Sequence, residues 1–108
     1  MPDSTATITT AMFNVLLALA DGDKHGYGIL KDAQVSTGTL YAIIKRLLGE
    51  GLIVEVRRHP AIADDDARRR YYHLTDAGRR AAAAEAERME KLVARARSSR
   101  LLRAVHPA

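Results

Sequence analysis

The stretch from Ser36 to Leu48 constrains the chain most, because it reads as one helix with a marked start, a marked stop and two unlike faces. Ser36 is a good N-cap, since its hydroxyl can accept a hydrogen bond from a first-turn amide that otherwise has no partner. Leu40, Ile43, Ile44, Leu47 and Leu48 recur at helical spacing and make one apolar stripe. Off the stripe lie Thr37, Gly38, Tyr41, Ala42 and Lys45, small at the front with an aromatic hydroxyl and a cation behind. Gly49-Glu50-Gly51 ends the helix, with Gly51 near the cap. Such a helix has to lay its stripe on neighbouring elements, so the flanking sequence decides its role.

Upstream, Thr9 or Thr10 can cap a first helix carrying Met12, Phe13, Leu16, Leu17 and Ala20 at helical steps. Asp21-Gly22-Asp23-Lys24 reads as a turn. His25 to Asp32 reads as a short second helix whose two glycines leave it dependent on packing, with His25 packing or capping at its start. Ala33-Gln34-Val35 is a three-residue turn into Ser36. A short helix, a tight turn and a longer helix form a helix-turn-helix pattern.

Downstream, Leu52 to Arg57 and Arg69 to Leu74 are two strand-like runs around a long polar connection that holds Asp64-Asp65-Asp66. Tyr71 and Tyr72 fall on opposite strand faces, one inward and one outward. Three helices followed by a β-hairpin make a winged helix. Thr75 caps a last helix that begins at Asp76, an acid suited to a helix N-terminus. Gly78 stands where a capping box would have Glu or Gln. Ala82, Ala86, Met89, Leu92, Val93 and Ala96 form a seam along that helix, flanked by arginines. At about 40 Å it is too long for so small a core to cover, so the seam is expected to meet a second copy of the chain, the alternative being that it folds back on the first helix. The predicted fold is mainly α with a small β-hairpin: a winged helix-turn-helix over residues 1–74 and a C-terminal dimerisation helix over 75–108.

The net charge of +4 is unevenly spread: residues 1–66 hold six Lys/Arg against nine Asp/Glu, and residues 67–108 hold eleven against four. A basic second half fits a polyanionic partner or a solvated helix face. There is no cysteine, which excludes disulfides, thiolate metal sites and cysteine nucleophiles. No nucleophile, base and orienting acid can be assembled, no phosphate loop appears, and no cofactor is implied. His25 and His73 are not a metal pair, and the acidic triplet is a weak cation site. No apolar run is long enough to span a bilayer and Met1 to Ala6 does not read as a signal peptide, so a cytoplasmic protein without membrane contact is expected.

The separated motifs His25-Gly26-Tyr27, Gly38-Thr39-Leu40-Tyr41, Arg46-Leu47, Gly51-Leu52-Ile53 and Arg70 to Gly78, in that order, resemble the PadR family of bacterial transcriptional regulators from about Val15 to Gly78. The resemblance implies a homodimeric winged-helix protein that binds double-stranded DNA, usually as a repressor, and that answers in some members to small aromatic effectors. The length looks like the short form with a single C-terminal helix. The chain departs from the family in a short segment between Tyr27 and Ser36, in its acidic wing, and in having no tryptophan for a flat ligand at the dimer centre.

The expected DNA-binding residues are Lys31 and Ser36 at the backbone, Thr37, Gly38 and Thr39 at the front of the third helix, Tyr41 and Lys45 one turn apart behind them, and Arg68, Arg69 and Arg70 on the return strand of the wing. Gly38 has a second reading, close helix packing, and Tyr41 another, packing on the second helix. An effector pocket is expected near Phe13, Leu16 and Met89. The rival function is a winged-helix protein-interaction module, in which the third helix binds a protein.

Overall fold

The computed structural model describes residues 8–56 and 70–102. Helix α1 (Thr10–Ala18) starts on Thr9, whose hydroxyl accepts from the Met12 amide at 3.1 Å. Strand β1 (Lys24–His25) follows, then helices α2 (Gly26–Ala33) and α3 (Thr37–Gly49), strands β2 (Ile53–Val56) and β3 (Tyr71–Leu74), and helix α4 (Asp76–Ser98). The strands form an antiparallel sheet in the order β1-β3-β2. β2 and β3 are the predicted wing pair, in register Ile53↔Leu74 to Val56↔Tyr71. The third strand is a correction to the hairpin expected from sequence: Lys24 and His25 lie in a turn-rich stretch, yet they pair with Tyr72 and Tyr71.

Four side-chain caps set the helix starts. Besides Thr9, the His25 ring accepts from the Gly28 amide (3.1 Å), the Ser36 hydroxyl from Thr39 (3.2 Å) and the Thr75 hydroxyl from Gly78 (2.9 Å). α2 stops where Gln34 turns into the left-handed region (φ 58°, ψ 45°), and α3 gives way to β2 through Gly51 at φ 74°.

One core joins the first three helices and the sheet: Met12, Val15 and Leu16 of α1 with Leu19 at its C-cap, Ile29 and Ala33 of α2, Leu40, Ile43, Ile44 and Leu47 of α3, and Ile53, Tyr72 and Leu74 of the sheet. Leu48, the last residue of the predicted α3 stripe, reaches the surface. Helix α1 is apolar nearly all round, so periodicity could not choose its inward face. The face that packs carries Met12, Val15, Leu16 and Leu19, whereas Leu17 is 54% exposed and Phe13 and Ala20 are half-buried.

Helix α4 is fastened to the winged helix at its first turn. The Thr75 amide donates to the Leu52 carbonyl (3.1 Å), and its hydroxyl shares a proton between the carbonyls of Gly51 (2.8 Å) and Leu52 (2.9 Å). Gly78 is buried against the same carbonyl: a Cβ there would lie 2.0 Å from the Leu52 oxygen. Ala82 packs on the core one turn later, Arg79 donates to the Ala20 carbonyl (3.4 Å), and Glu85 is buried and hydrogen-bonded to Arg88 (3.0 and 2.5 Å). The Arg88 hydrogen bond holds the Glu85 carboxyl below the ordinary glutamate range, against the opposing effect of burial. Beyond Met89 the helix leaves the core.

Candidate nucleic-acid interface

Helix α3 presents its inward stripe to the core and leaves Thr37, Gly38, Thr39, Tyr41, Ala42 and Lys45 exposed. The Ser36 hydroxyl accepts from the Thr39 amide and donates to the Thr39 hydroxyl (2.9 Å), so the first turn is pinned while Thr37 faces outward. Gly38 is exposed. A Cβ built on it meets nothing within 4 Å, so the glycine makes room for no neighbour in this chain. Its backbone is open on that face.

Tyr41 packs on the second helix and stays exposed. Its hydroxyl lies 3.4 Å from where a Gly26 Cβ would stand, so the ring leans over the start of α2, and the residue is still 56% exposed. Neither Lys45 nor Lys31 has an ion-pair partner among the described residues, which leaves two uncompensated cations on this side. Arg46, by contrast, pairs with Glu50 along the helix (2.9 Å).

Of the three wing arginines, the structure describes Arg70. Arg68 and Arg69 lie outside the described residues, as does the acidic triplet. Arg70 is exposed and 3.6 Å from the Glu55 carboxylate, so part of its charge is answered within the hairpin. Tyr72 is buried as one of the pair was expected to be, whereas Tyr71 is half-buried rather than exposed, because its ring meets His25. Burial pushes the Tyr72 phenol above its ordinary range, and Glu55 adds to the shift.

Tyr27, named in the sequence only as part of the His25-Gly26-Tyr27 motif, is also exposed on this side. Tyr27, 67% exposed, stacks on His25 with ring centroids 6.2 Å apart and 26° between planes, and Tyr71 meets His25 edge-on at 5.3 Å. The signal was present as a Tyr-x-x-x-Lys spacing, Tyr27 to Lys31, that Tyr41 and Lys45 repeat on α3. No group of three or more His, Asp or Glu side chains among the described residues is placed to hold a metal ion.

The seam residues of α4 divide in two. Ala82 packs against the chain's own core and Met89 is half-buried, while Ala86 is exposed, Leu92 and Val93 are 44% and 47% exposed, and Ala96 is half-buried. An open groove of about 300 Å³ runs along the far half, lined by Leu92, Arg95, Ala96 and Ser99. Of the three effector-pocket residues, Leu16 is fully buried in the core, and Phe13 and Met89 are half-buried on α1 and α4, which pack together.

The sequence profile described as the transcriptional regulator PadR-like family matches residues 15–84, from the middle of α1 through the first turns of α4. The chain belongs to the PadR-like family of transcriptional regulators. Solved structures agree on the fold. A PadR family regulator from Clostridium difficile R20291 superposes with a TM-score of 0.74 at 21% identity, over 83% of this chain and 97% of that one. BpsR of Bordetella bronchiseptica, described by the regulation of its DNA binding by 6-hydroxynicotinic acid, superposes at 0.68 with 25% identity, over 97% and 83%. ZitR of Lactococcus lactis, a zinc-responsive member of the MarR family, does so at 0.66 with 22% identity, over 86% and 61%. No curated protein matches the sequence. No helix among the described residues is long and apolar enough to cross a membrane.

Proposed function

We propose that this PadR-like regulator is a homodimer that binds a pseudo-palindromic DNA operator through Ser36 to Lys45 and represses transcription until a small aromatic effector relieves it. The observation that carries the reading is the front of α3: an exposed Gly38 with open space around it, small hydroxylated neighbours, and Tyr41 and Lys45 one turn behind. Threonine hydroxyls can pair with several bases, and a bare helix front lets the backbone sit deep in a major groove. Tyr41, Lys45 and Lys31 meet phosphates, which fix register without reading sequence.

Two copies are needed to place two such helices about one helical turn apart. Leu92 and Val93 of α4, with Leu17 of α1, supply apolar surface for that pairing, since they are exposed in the single chain. The effector reading has Phe13 and Met89 at the α1–α4 junction, where a bound ligand shifts the spacing of the recognition helices. It draws support from BpsR, whose DNA binding answers to an aromatic acid. Arg70 joins the backbone contact once a phosphate competes with Glu55.

The test is the double substitution Tyr41→Ala with Lys45→Glu, assayed by fluorescence anisotropy against duplex from upstream of the chain's own gene. Both residues are exposed, so folding and dimerisation persist while affinity falls at least about a hundredfold, one or more kcal/mol for each lost charged contact. Unchanged affinity in a folded dimer would leave α3 as a surface for another protein.

A further inference from the structure

The basic excess of the second half of the chain lies mostly on α4, which carries Arg79, Arg80, Arg88, Lys91, Arg95 and Arg97. These cations are not equivalent. Arg79 donates to the Ala20 carbonyl, and Arg88 is held by the buried Glu85. Arg80, Lys91 and Arg95 are exposed and have no ion-pair partner among the described residues. At 3.6 residues per turn the three fall within a sector of about 60°, on a line about 22 Å long. Glu87 borders the sector, and the line stays net basic.

Helix α4 packs on α1 and β3, whereas α3 packs on α1, α2 and β2. A duplex seated on α3 therefore leaves the α4 line open. Gly78, Glu85 and Ala96 point roughly 120° away from it around the helix, so a second copy on the apolar seam leaves it open too. Only Arg95 comes near that seam, at the rim of the groove with Leu92, Ala96 and Ser99. Charge complementarity calls for an anion, and the layout selects which. A small anion or a folded acidic partner is held by donors that converge, and these three are strung out instead. Duplex DNA carries one negative charge per about 1.7 Å of axis, so spaced cations on a straight helix meet phosphates whatever the sequence. A regulator on its operator also has neighbouring duplex at high local concentration.

We propose that Arg80, Lys91 and Arg95 form a second, sequence-blind duplex-binding surface on α4, through which a dimer held on its operator takes up a further segment of DNA. The operator-bound state rests on the α3 reading, and the α4 surface stands on its own charges. Each protomer contributes one line. Binding to it is weak, with a Kd of about 10⁻⁴–10⁻⁶ M at physiological salt, as for other contacts made to phosphates alone.

The experiment tethers duplex from upstream of the gene to a surface, loads the protein, and measures capture of a labelled scrambled duplex or of labelled polyglutamate across a salt series. Wild type is compared with the triple variant Arg80→Gln, Lys91→Gln, Arg95→Gln and with the double variant Arg80→Gln, Lys91→Gln, which leaves the groove rim intact. Arg97→Gln removes a charge from the other flank of α4. Sedimentation velocity checks that each is a folded dimer. Wild type is expected to capture the scrambled duplex. The triple variant is expected to load as wild type does and to capture at least about tenfold less, with the slope of log affinity against log salt falling by about 0.9 for each cation removed. Arg97→Gln is expected to keep wild-type capture and slope. No capture by loaded wild type, undiminished capture by both Gln variants, or an Arg97→Gln protein as impaired as the double variant would overturn the α4 surface. Capture of polyglutamate but not of duplex would overturn it in favour of an acidic protein. If wild type does not load, the α3 reading falls, and anisotropy against the scrambled duplex in solution decides this one alone. Binding that the triple variant loses would uphold it, and no binding would overturn it.

Discussion

The two glycines that face opposite situations, Gly78 and Gly38, give the sharpest prediction. An alanine methyl at position 78 would stand 2.0 Å from the Leu52 oxygen and 2.7 Å from a Leu74 methyl. An ordinary carbon–oxygen contact is about 3.3 Å, so the start of α4 has to retreat by roughly 1 Å. That movement breaks the fit that Thr75 secures with its bonds to Gly51 and Leu52. Overpacking of this kind costs up to about 3 kcal/mol, and the helix propensity gained by leaving glycine returns about 1 kcal/mol. The net loss of about 2 kcal/mol lowers Tm by roughly 8–16 °C for a domain of this size. Gly38→Ala is the matched control, since its methyl meets nothing. It is expected to gain about 0.5 kcal/mol and raise Tm by roughly 2–4 °C, while weakening duplex binding by filling the space the groove floor needs. Thermal melts by circular dichroism at one fixed protein concentration decide it, because dimer melting depends on concentration. A Gly78→Ala protein melting at or above wild type would refute the seating of α4 on the Leu52 carbonyl.

Other substitutions probe the remaining joints. Gln34→Gly is expected to stabilise the protein by about 1 kcal/mol, because Gln34 ends α2 at φ 58° in a region that favours glycine, and a chemical denaturation midpoint reads the gain. His25→Ala removes the α2 cap and costs about 1 kcal/mol in the same measurement. Glu85 has a lowered pKa in the fold, so its contribution is present above the unfolded value of about 4.3 and is lost as pH falls through the folded one. Glu85→Gln is therefore expected to flatten the acid side of a Tm-against-pH curve below about pH 4, and an unchanged acid limb would remove Glu85 from the account. Leu92→Asp with Val93→Asp is expected to turn a dimer into a monomer in sedimentation velocity, with melting of the isolated winged helix little changed.

Much of the architecture was legible because local chemistry marks it. Ser36 and Thr75 announced their helices as caps, Thr9 was one of two options offered, and a β-branched run followed by a tyrosine-bearing one after Gly51 gave the wing pair in the right order. The residues that escaped are those whose role is set by distant partners. Lys24 and His25 are a strand only because β3 offers them an edge, and no periodicity exists in two residues. Helix α1 has apolar side chains at nearly every position, so its inward face was decided by the fit of Val15 and Leu19 to the core. Gly78 read as a gap in a capping motif, whereas its cause is a carbonyl contributed 26 positions earlier by Leu52. On the recognition side, composition pointed to Thr37, Gly38, Tyr41 and Lys45, and the fold exposes all four. Only the geometry could show that Gly38 has no neighbour within this chain, and only the fold could show Tyr27 stacked on His25.

The central claim is that α3 reads duplex DNA. The most direct measurement is anisotropy of the wild-type protein against a labelled fragment from upstream of its own gene and against a scrambled duplex, at about 0.15 M salt and again at several-fold higher salt, where phosphate contacts are screened. The account predicts tight binding to the upstream fragment that weakens steeply with salt, and markedly weaker binding to the scrambled duplex. Equal, weak binding to both, or affinity indifferent to salt, would contradict it.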